Sequence, residues 1–348
     1  MTVVWKEQIT RGAAIALMAN FTSVADALKE LVDNPIDYRQ GQKLIVDIVD
    51  KHRGKGRGGL VVVESDGGRG MDAEGINTWL NWGEGERHSD DHIGRYHQGG
   101  KAACGFLGSH VRLWAKKAGR PEIWCFEDRE WSRRTAAHTF GVATPVPPSQ
   151  CPDTLRSVPL DRGHVRIEIR GLQKERRWNI QTLRNDLSNT YRNLLATGDV
   201  VIRINDESVD PMNIPLSTAV DQVVIGPIPL GQGRTARGWA GRMMRSEMEF
   251  PIKGGLRLIQ NGRLICQGEW FGYNHEGKGA LASLIGELHL AGFKPNPNKT
   301  DFVDRGDIVW ENLGALVESD LKPLISELRK SGEDGRVSKD EKRRASEV

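Results

Sequence analysis

Glu30-Leu31-Val32-Asp33-Asn34 is followed by Ser65-Asp66-Gly67-Gly68-Arg69-Gly70-Met71 and then by Ile93-Gly94-Arg95-Tyr96-His97-Gln98-Gly99-Gly100-Lys101. These three stretches set a carboxylate, an amide, a second carboxylate and two glycine-rich turns in one order. Around the first stretch, Val24, Ala27, Leu28, Leu31 and Val32 follow the three-four spacing of a buried helix face, so residues 11–38 are read as helical. Glu30 and Asn34 are four apart and share a face. Pro35 is expected to end or kink this helix.

Further along, 43–50 alternates as a strand, 51–59 is a glycine-rich basic turn and 60–64 is a β-rich run ending in the Asp66–Met71 turn. A short helix is expected over 73–82, and a glycine turn leads into a small-residue helix over 94–108. Strands are expected at 111–115, 123–126 and 165–169, and a proline-rich loop at 142–159. Residues 179–195 read as helical with Gly198 as C-terminal cap. Strands at 200–204, 222–225, 237–240, 256–260 and 284–290 follow. The expected organisation is a domain over 1–175, a second over 176–329 and a disordered charged tail over 330–348.

The 348 residues suffice for two domains, and 27% charged with 38% hydrophobic content suits a soluble globular protein. A net charge of +3 gives no global argument for nucleic acid, although Lys51–Arg57 and Lys174–Arg177 are locally basic. Four scattered cysteines without CxxC spacing speak against a zinc site or a disulfide framework. The apolar run 13–19 is too short to span a bilayer. The expectation is a protein away from membranes, cytoplasmic or, in a eukaryote, nuclear.

Hydrolysis of a phosphoanhydride needs a metal to gather phosphate oxygens, a group that positions water, and donors that stabilise charge. Glu30 suits the water-positioning role, and Asn34 offers Mg²⁺ a neutral oxygen one turn later. Asp66 suits an exocyclic amine such as that of adenine, and the glycines beside it allow close approach. Gly94, Gly99 and Gly100 would expose backbone N–H groups at a helix start, where phosphate binds well, and Lys101 adds positive charge. Each segment also has an ordinary reading: an exposed helix face, an Asp-capped hairpin turn, a helix-entry loop. No GxxxxGK[ST] sequence is present, so this is not a P-loop protein.

Together the segments resemble the GHKL ATPases of the Bergerat fold. Glu30–Asn34 is similar to the family's N-box, Asp66–Gly70 to its D-x-G-x-G box, and Ile93–Lys101 to its second glycine box. Asn81-Trp82-Gly83-Glu84-Gly85 ahead of Ile93-Gly94-Arg95-Tyr96 looks like the MORC-type ATPases in particular. The resemblance implies an α+β fold: a Bergerat α/β sandwich, then a smaller ribosomal-protein-like βαβ transducer domain. It implies ATP and Mg²⁺ as ligands, with Asn34 on the metal and Glu30 activating water. It places the nucleotide among Asn34, Asp37, Asp66, Gly68, Gly70, Met71, Gly94, Arg95, Tyr96, His97, Gln98, Gly99, Gly100, Lys101 and His164. Residues 254–265 and 297–302 are similar to the transducer of MORC and MutL proteins, and Lys299 matches the lysine that there reaches the γ-phosphate.

The implied function is a slow ATPase acting as an ATP-gated, dimerising switch or clamp on DNA or a DNA-associated complex, alone or with further subunits of a larger system. The alternatives are a nucleotide-binding interaction module with negligible turnover and a chaperone-like protein-remodelling ATPase. Three departures bear on hydrolysis. His97 stands where the second glycine box has a glycine, Gly163-His164 stands for Gly-Thr in a third box, and Pro35 follows the metal asparagine.

Overall fold

The computed structural model describes residues 11–39, 41, 43–51, 59–82, 92–93, 98–133, 143–173, 179–218, 220–244, 253–273 and 280–346. The chain divides into two compact units, 1–188 with 194–210, and 189–193 with 211–348. Among the described residues no helix is long and apolar enough to cross a membrane.

The first unit begins with α1 (Arg11–Ala19) and α2 (Val24–Asp37). Ser23 divides the expected single helix: its side chain accepts the Asp26 N–H at 3.0 Å and so caps α2. Pro35 does not stop α2, which continues to Asp37, because proline falls in the last turn where one missing N–H is a small loss. Then come β1 (Leu44–Asp50), β2 (Leu60–Gly68), α3 (Ala73–Leu80), α4 (Gly99–Leu107), β3 (Gly108–Lys116), β4 (Ile123–Asp128), β5 (Thr144–Pro145), α5 (Asp153–Arg156) and β6 (Gly163–Leu172). The unit closes with α6 (Ile180–Thr190), α7 (Arg192–Thr197), β7 (Val200–Ile204) and β8 (Glu207–Ser208), the junction of α6 and α7 being shared with the second unit. Tyr191, fully buried, separates the two helices expected as one.

Eight strands form a mixed sheet in the order β5-β4-β3-β6-β2-β1-β7-β8, antiparallel except where β7 runs parallel to β1. Its two faces differ. Val46, Ile48, Val61, Val63, Ile167, Ile169, Val111 and Leu113 share one face through the strand register and are buried. This face meets the helical layer: Phe126 packs edge-on against Trp131, whose indole N–H donates to the Lys101 carbonyl in α4. The other face carries Asp47, Glu64, Asp66, His164, Arg166, Glu168 and Arg112. Part of it is covered by the 146–155 segment, where Cys151 and Leu155 pack on Trp114 and Ile123. Apart from the short α5, the helices lie on one side of a mixed sheet, the α+β arrangement expected.

The boundary expected near 175 is corrected. Residues 200–204 return to the first sheet beside 44–48, a pairing too distant in sequence for local patterns to reveal.

The second unit holds a five-stranded sheet ordered β12-β11-β13-β10-β9, from β9 (Val223–Gly231), β10 (Arg234–Arg242), β11 (Gly255–Gln260), β12 (Arg263–Glu269) and β13 (Leu284–Ala291). β11 and β13 are parallel, and among the described residues the connection between them runs through β12 and a 3-10 turn, with no α-helix. The expected βαβ crossover helix is therefore not seen there. α8 (Ile308–Ser346) instead follows the last strand. Its Trp310, Leu313, Val317, Leu321, Leu324 and Leu328 join Ala236, Ala240, Leu256, Leu258 and Leu288 in one core. The segment expected to be disordered continues this helix as far as Ser346. Lys, Glu, Arg and Ala around 339–345 are good helix formers, so high charge alone does not preclude helix.

The opposite face of this sheet holds a buried ion network. Arg257, with no exposed surface, donates to Asn189 Oδ1 at 2.6 Å and approaches Glu287 at 3.4 Å, while Arg192 donates to both Glu287 oxygens at 3.1 Å. It fixes Asn189–Asn193, which belong to this unit, to β11 and β13.

Candidate functional site

α2 is the element from which the site is built. Its apolar side is buried, and the same packing draws Glu30 and Asp33 inward until both are nearly inaccessible. One turn apart, Glu30 and Asn34 meet the first two residues of α4. A Cβ on Gly99 would collide with Glu30 Oε2, and a Cβ on Gly100 would lie 2.6 Å from Asn34 Nδ2. Glycine is required here for space, not for backbone angle. The N-cap residue of α4, Gln98, makes no side-chain capping bond, and the first turn holds no acidic residue. The first-turn N–H groups and the positive end of the helix dipole thus lie beside Glu30 and Asn34. The two ends of the Asn34 amide are interchangeable by rotation, so an oxygen can be presented to a cation.

At the end of α2, Asp37 Oδ1 accepts the Ile93 N–H at 2.6 Å, tying the helix to the start of the second glycine segment. Arg69 N–H donates to the Tyr38 carbonyl at 2.9 Å, and Arg39 bridges to Gly68. α2 therefore touches both glycine segments. The turn after β2 is itself tightly packed: Gly70 has φ +63° and a Cβ there would overlap the Lys116 carbonyl. Met71 packs near Gly75, and Asp72 caps α3 by accepting the Gly75 N–H at 3.0 Å.

Asp66 belongs to a second cluster. The strand register sets it opposite His164, with Glu64 and Arg166 one step along. His164 Nε2 is 2.7 Å from Glu64 Oε1, whose other oxygen accepts from Arg166 at 2.8 Å. Arg162 lies 3.2 Å from Asp66 Oδ2. His164 Nδ1 and Asp66 Oδ1 are 3.9 Å apart, too far to bond, and both are buried without a hydrogen-bond partner. The His164 ring foremost, and Arg162 with it, hold the Asp66 carboxyl below its ordinary value against the effect of burial. Burial opposes a charged His164, but Asp66 and Glu64 outweigh it and raise the ring above its ordinary value. Burial likewise works against the Glu64 carboxylate, yet His164 and Arg166 lower it overall.

The structure thus brings Glu30, Asn34, Gln98, Gly99 and Gly100 together, and separately Asp66 and His164. The main-chain contacts of Tyr38 and Arg39 with Gly68 and Arg69 join the two groups. Lys101, expected to add positive charge beside the glycines, is only 2% exposed and donates to the Trp79 carbonyl at 2.7 Å. In the second unit Lys299 is buried with φ +52°, and its carbonyl accepts from the buried Arg263 at 3.2 Å. Gly94, Arg95, Tyr96 and His97 lie outside the described residues. Sequence reasoning missed Glu64, Arg162 and Arg166. The alternation of charged and apolar residues from His164 to Arg170 was the available signal for a charged sheet face.

The donor and acceptor set fits a magnesium nucleotide: an uncapped helix start for phosphate, a carboxylate and an amide beside it, and an orphaned acceptor on Asp66 for an amine. Residues 22–147 match the family model of histidine kinase-, DNA gyrase B-, and HSP90-like ATPases. Over 90 residues the chain is 33% identical to Protein MICRORCHIDIA 6 of Arabidopsis thaliana, a match covering 26% of this chain and 13% of that protein.

Proposed function

We propose, from the match of residues 22–147 to the histidine kinase-, DNA gyrase B- and HSP90-like ATPase model, that the first unit is an ATPase domain of that kind and that the chain binds ATP with Mg²⁺ and hydrolyses it slowly. The observation carrying this reading is the meeting of Glu30 and Asn34 with the uncapped start of α4 at Gly99 and Gly100.

Glu30 orients the attacking water and takes its proton at a carboxylate oxygen. Mg²⁺, when bound, gathers phosphate oxygens and offsets their charge, and Asn34 is the residue that would hold it. The N–H groups of Gly99 and Gly100 face the phosphates. Asp66 accepts from the exocyclic amine of adenine, with Gly68, Gly70 and Met71 shaping the turn beside the base. The Asp37 contact with Ile93 supports the second glycine segment. Slow turnover is favoured by the Asp66–Arg162 pair, which a base must compete with, and by histidine in place of a hydroxyl at 164.

The second unit is proposed as the transducer, with Lys299 the cation that acts on the terminal phosphate. This assignment rests on the likeness of residues 254–265 and 297–302. Nucleotide turnover would gate a homodimer acting on DNA or a DNA-associated complex. Only monomer in sedimentation with a non-hydrolysable ATP analogue would remove the dimer, and a gel shift indifferent to salt would remove DNA.

The central test is steady-state phosphate release. Glu30→Ala is expected to keep nucleotide affinity while slowing release at least ~100-fold. Equal rates for the variant and the wild type would leave a binding module without catalysis.

A further inference from the structure

Lys101 directly follows the two glycines of α4, where an ammonium is readily imagined on a phosphate. Its surroundings give it different work. The side chain turns back towards the C-terminal end of α3, where Nζ donates to the Trp79 carbonyl at 2.7 Å. Helix carbonyls at that end lack partners within the helix, and a cation there is favoured. The rings of Trp79 and Trp82 each lie 5.7 Å from Nζ, so their π-faces support the charge in a site cut off from water. Burial pushes the ammonium down to about 7.

The main chain of the same residue is held independently. Its carbonyl accepts the Trp131 indole N–H at 3.1 Å. Trp131 is 2% exposed and stacks on Trp79 with centroids 5.9 Å apart and planes at 20°. Trp79 Nε1 would in turn lie 3.4 Å from a Cβ on Gly100. One residue therefore ties three parts of the unit together: the end of α3, the first turn of α4 and the turn after β4.

We infer that Lys101 is a positioning residue, which acts through Trp79 and Trp131 to hold the Gly99–Gly100 turn against Glu30 and Asn34, and not a ligand of the nucleotide phosphates. Phosphate is then recognised at this turn by backbone N–H groups. The inference rests on the nucleotide-binding reading for its functional consequence, but the positioning itself can be measured without nucleotide.

The test uses the full chain with three substitutions. Lys101→Met removes both donor and charge, Lys101→Gln keeps a donor without charge, and Lys101→Arg keeps charge on a head too bulky for the tryptophan box. Without nucleotide, hydrogen exchange of the amides at 99–103 should rise about 10-fold in Lys101→Met and less in Lys101→Gln. Unchanged exchange in both overturns the inference. With nucleotide, Lys101→Met should weaken ADP and AMP-PNP by the same factor, about 10-fold, and Lys101→Arg should not restore either. Selective loss of AMP-PNP, with recovery in Lys101→Arg, would make Lys101 a phosphate ligand and overturn the inference. Should Lys101→Met fail to fold, Lys101→Gln against Lys101→Arg decides on the same readouts. Failure of the wild type to bind either nucleotide would sink the proposed function and leave the exchange result standing.

Discussion

The two clusters that α2 links are built on opposite principles. Around Glu30 and Asn34 the arrangement is set by missing side chains: glycines at 99 and 100 leave room that any Cβ would fill. Around Asp66 it is set by charge, with two carboxylates, an imidazole and two guanidinium groups in mutual contact on one sheet face. The first cluster should respond steeply to volume. The second should respond to pH, because the ionisation of Asp66, Glu64 and His164 is held by their neighbours.

The largest expected effect lies in the steric cluster. Gly99→Ala forces the Glu30 carboxylate aside, and displacement of a reacting group by about 1 Å can cost ~100-fold in rate. Phosphate release should fall by that order, while Gly306→Ala, which meets nothing within 4 Å, should have no effect. A normal rate for Gly99→Ala would mean that Glu30 need not stay where it is.

Next in size is the change in charge. Asp66→Asn keeps the shape but removes the charged acceptor, and nucleotide affinity should fall about 10-fold. Unaltered affinity by calorimetry would take Asp66 out of the binding site and reduce the second cluster to scaffolding.

The smallest effect is one of stability, and it carries a pH signature. His164 is raised, so its contribution is complete below its ordinary value of 6.5 and fades as pH rises through the folded value. Glu64 and Asp66 are lowered, so theirs is complete above their ordinary values of 4.5 and 3.8 and fades as pH falls through the folded values. The window in which all three contribute is pH 4.5 to 6.5. His164→Gln should lower the melting temperature most within that window, by roughly 2–4 °C, with the gap closing towards alkaline pH. A gap independent of pH would show that packing, not charge, holds His164 in place.

How legible this was in the sequence depended on distance along the chain. The apolar spacing of Val24 to Val32 announced α2, and the alternation at 44–50 announced β1, because both signals are local. The Glu30–Asn34 pairing with Gly99 and Gly100 could be guessed only from the order of motifs, since no pattern within α2 says which helix start it will meet. Arg162 was invisible as a partner of Asp66, being 96 positions away and reached through an irregular turn. The place of the Lys101 side chain was not legible because residue type suggests only a cation beside the glycines, whereas its direction is set by the Trp79 carbonyl and the rings of Trp79 and Trp82 from another segment. α8 does carry a local signal, the helical spacing of Trp310, Leu313, Val317, Leu321, Leu324 and Leu328, but no motif lies on it.

The parallel pairing of Leu44–Ile48 with Val200–Ile204 has a practical outcome for anyone dissecting the molecule. A fragment trimmed at residue 175 would retain all three motifs yet bare a full row of amide and carbonyl groups along β1, an invitation to strand-to-strand aggregation. Extending the fragment to Asp210 restores that edge's partner and makes residue 210, not 175, the place to cut.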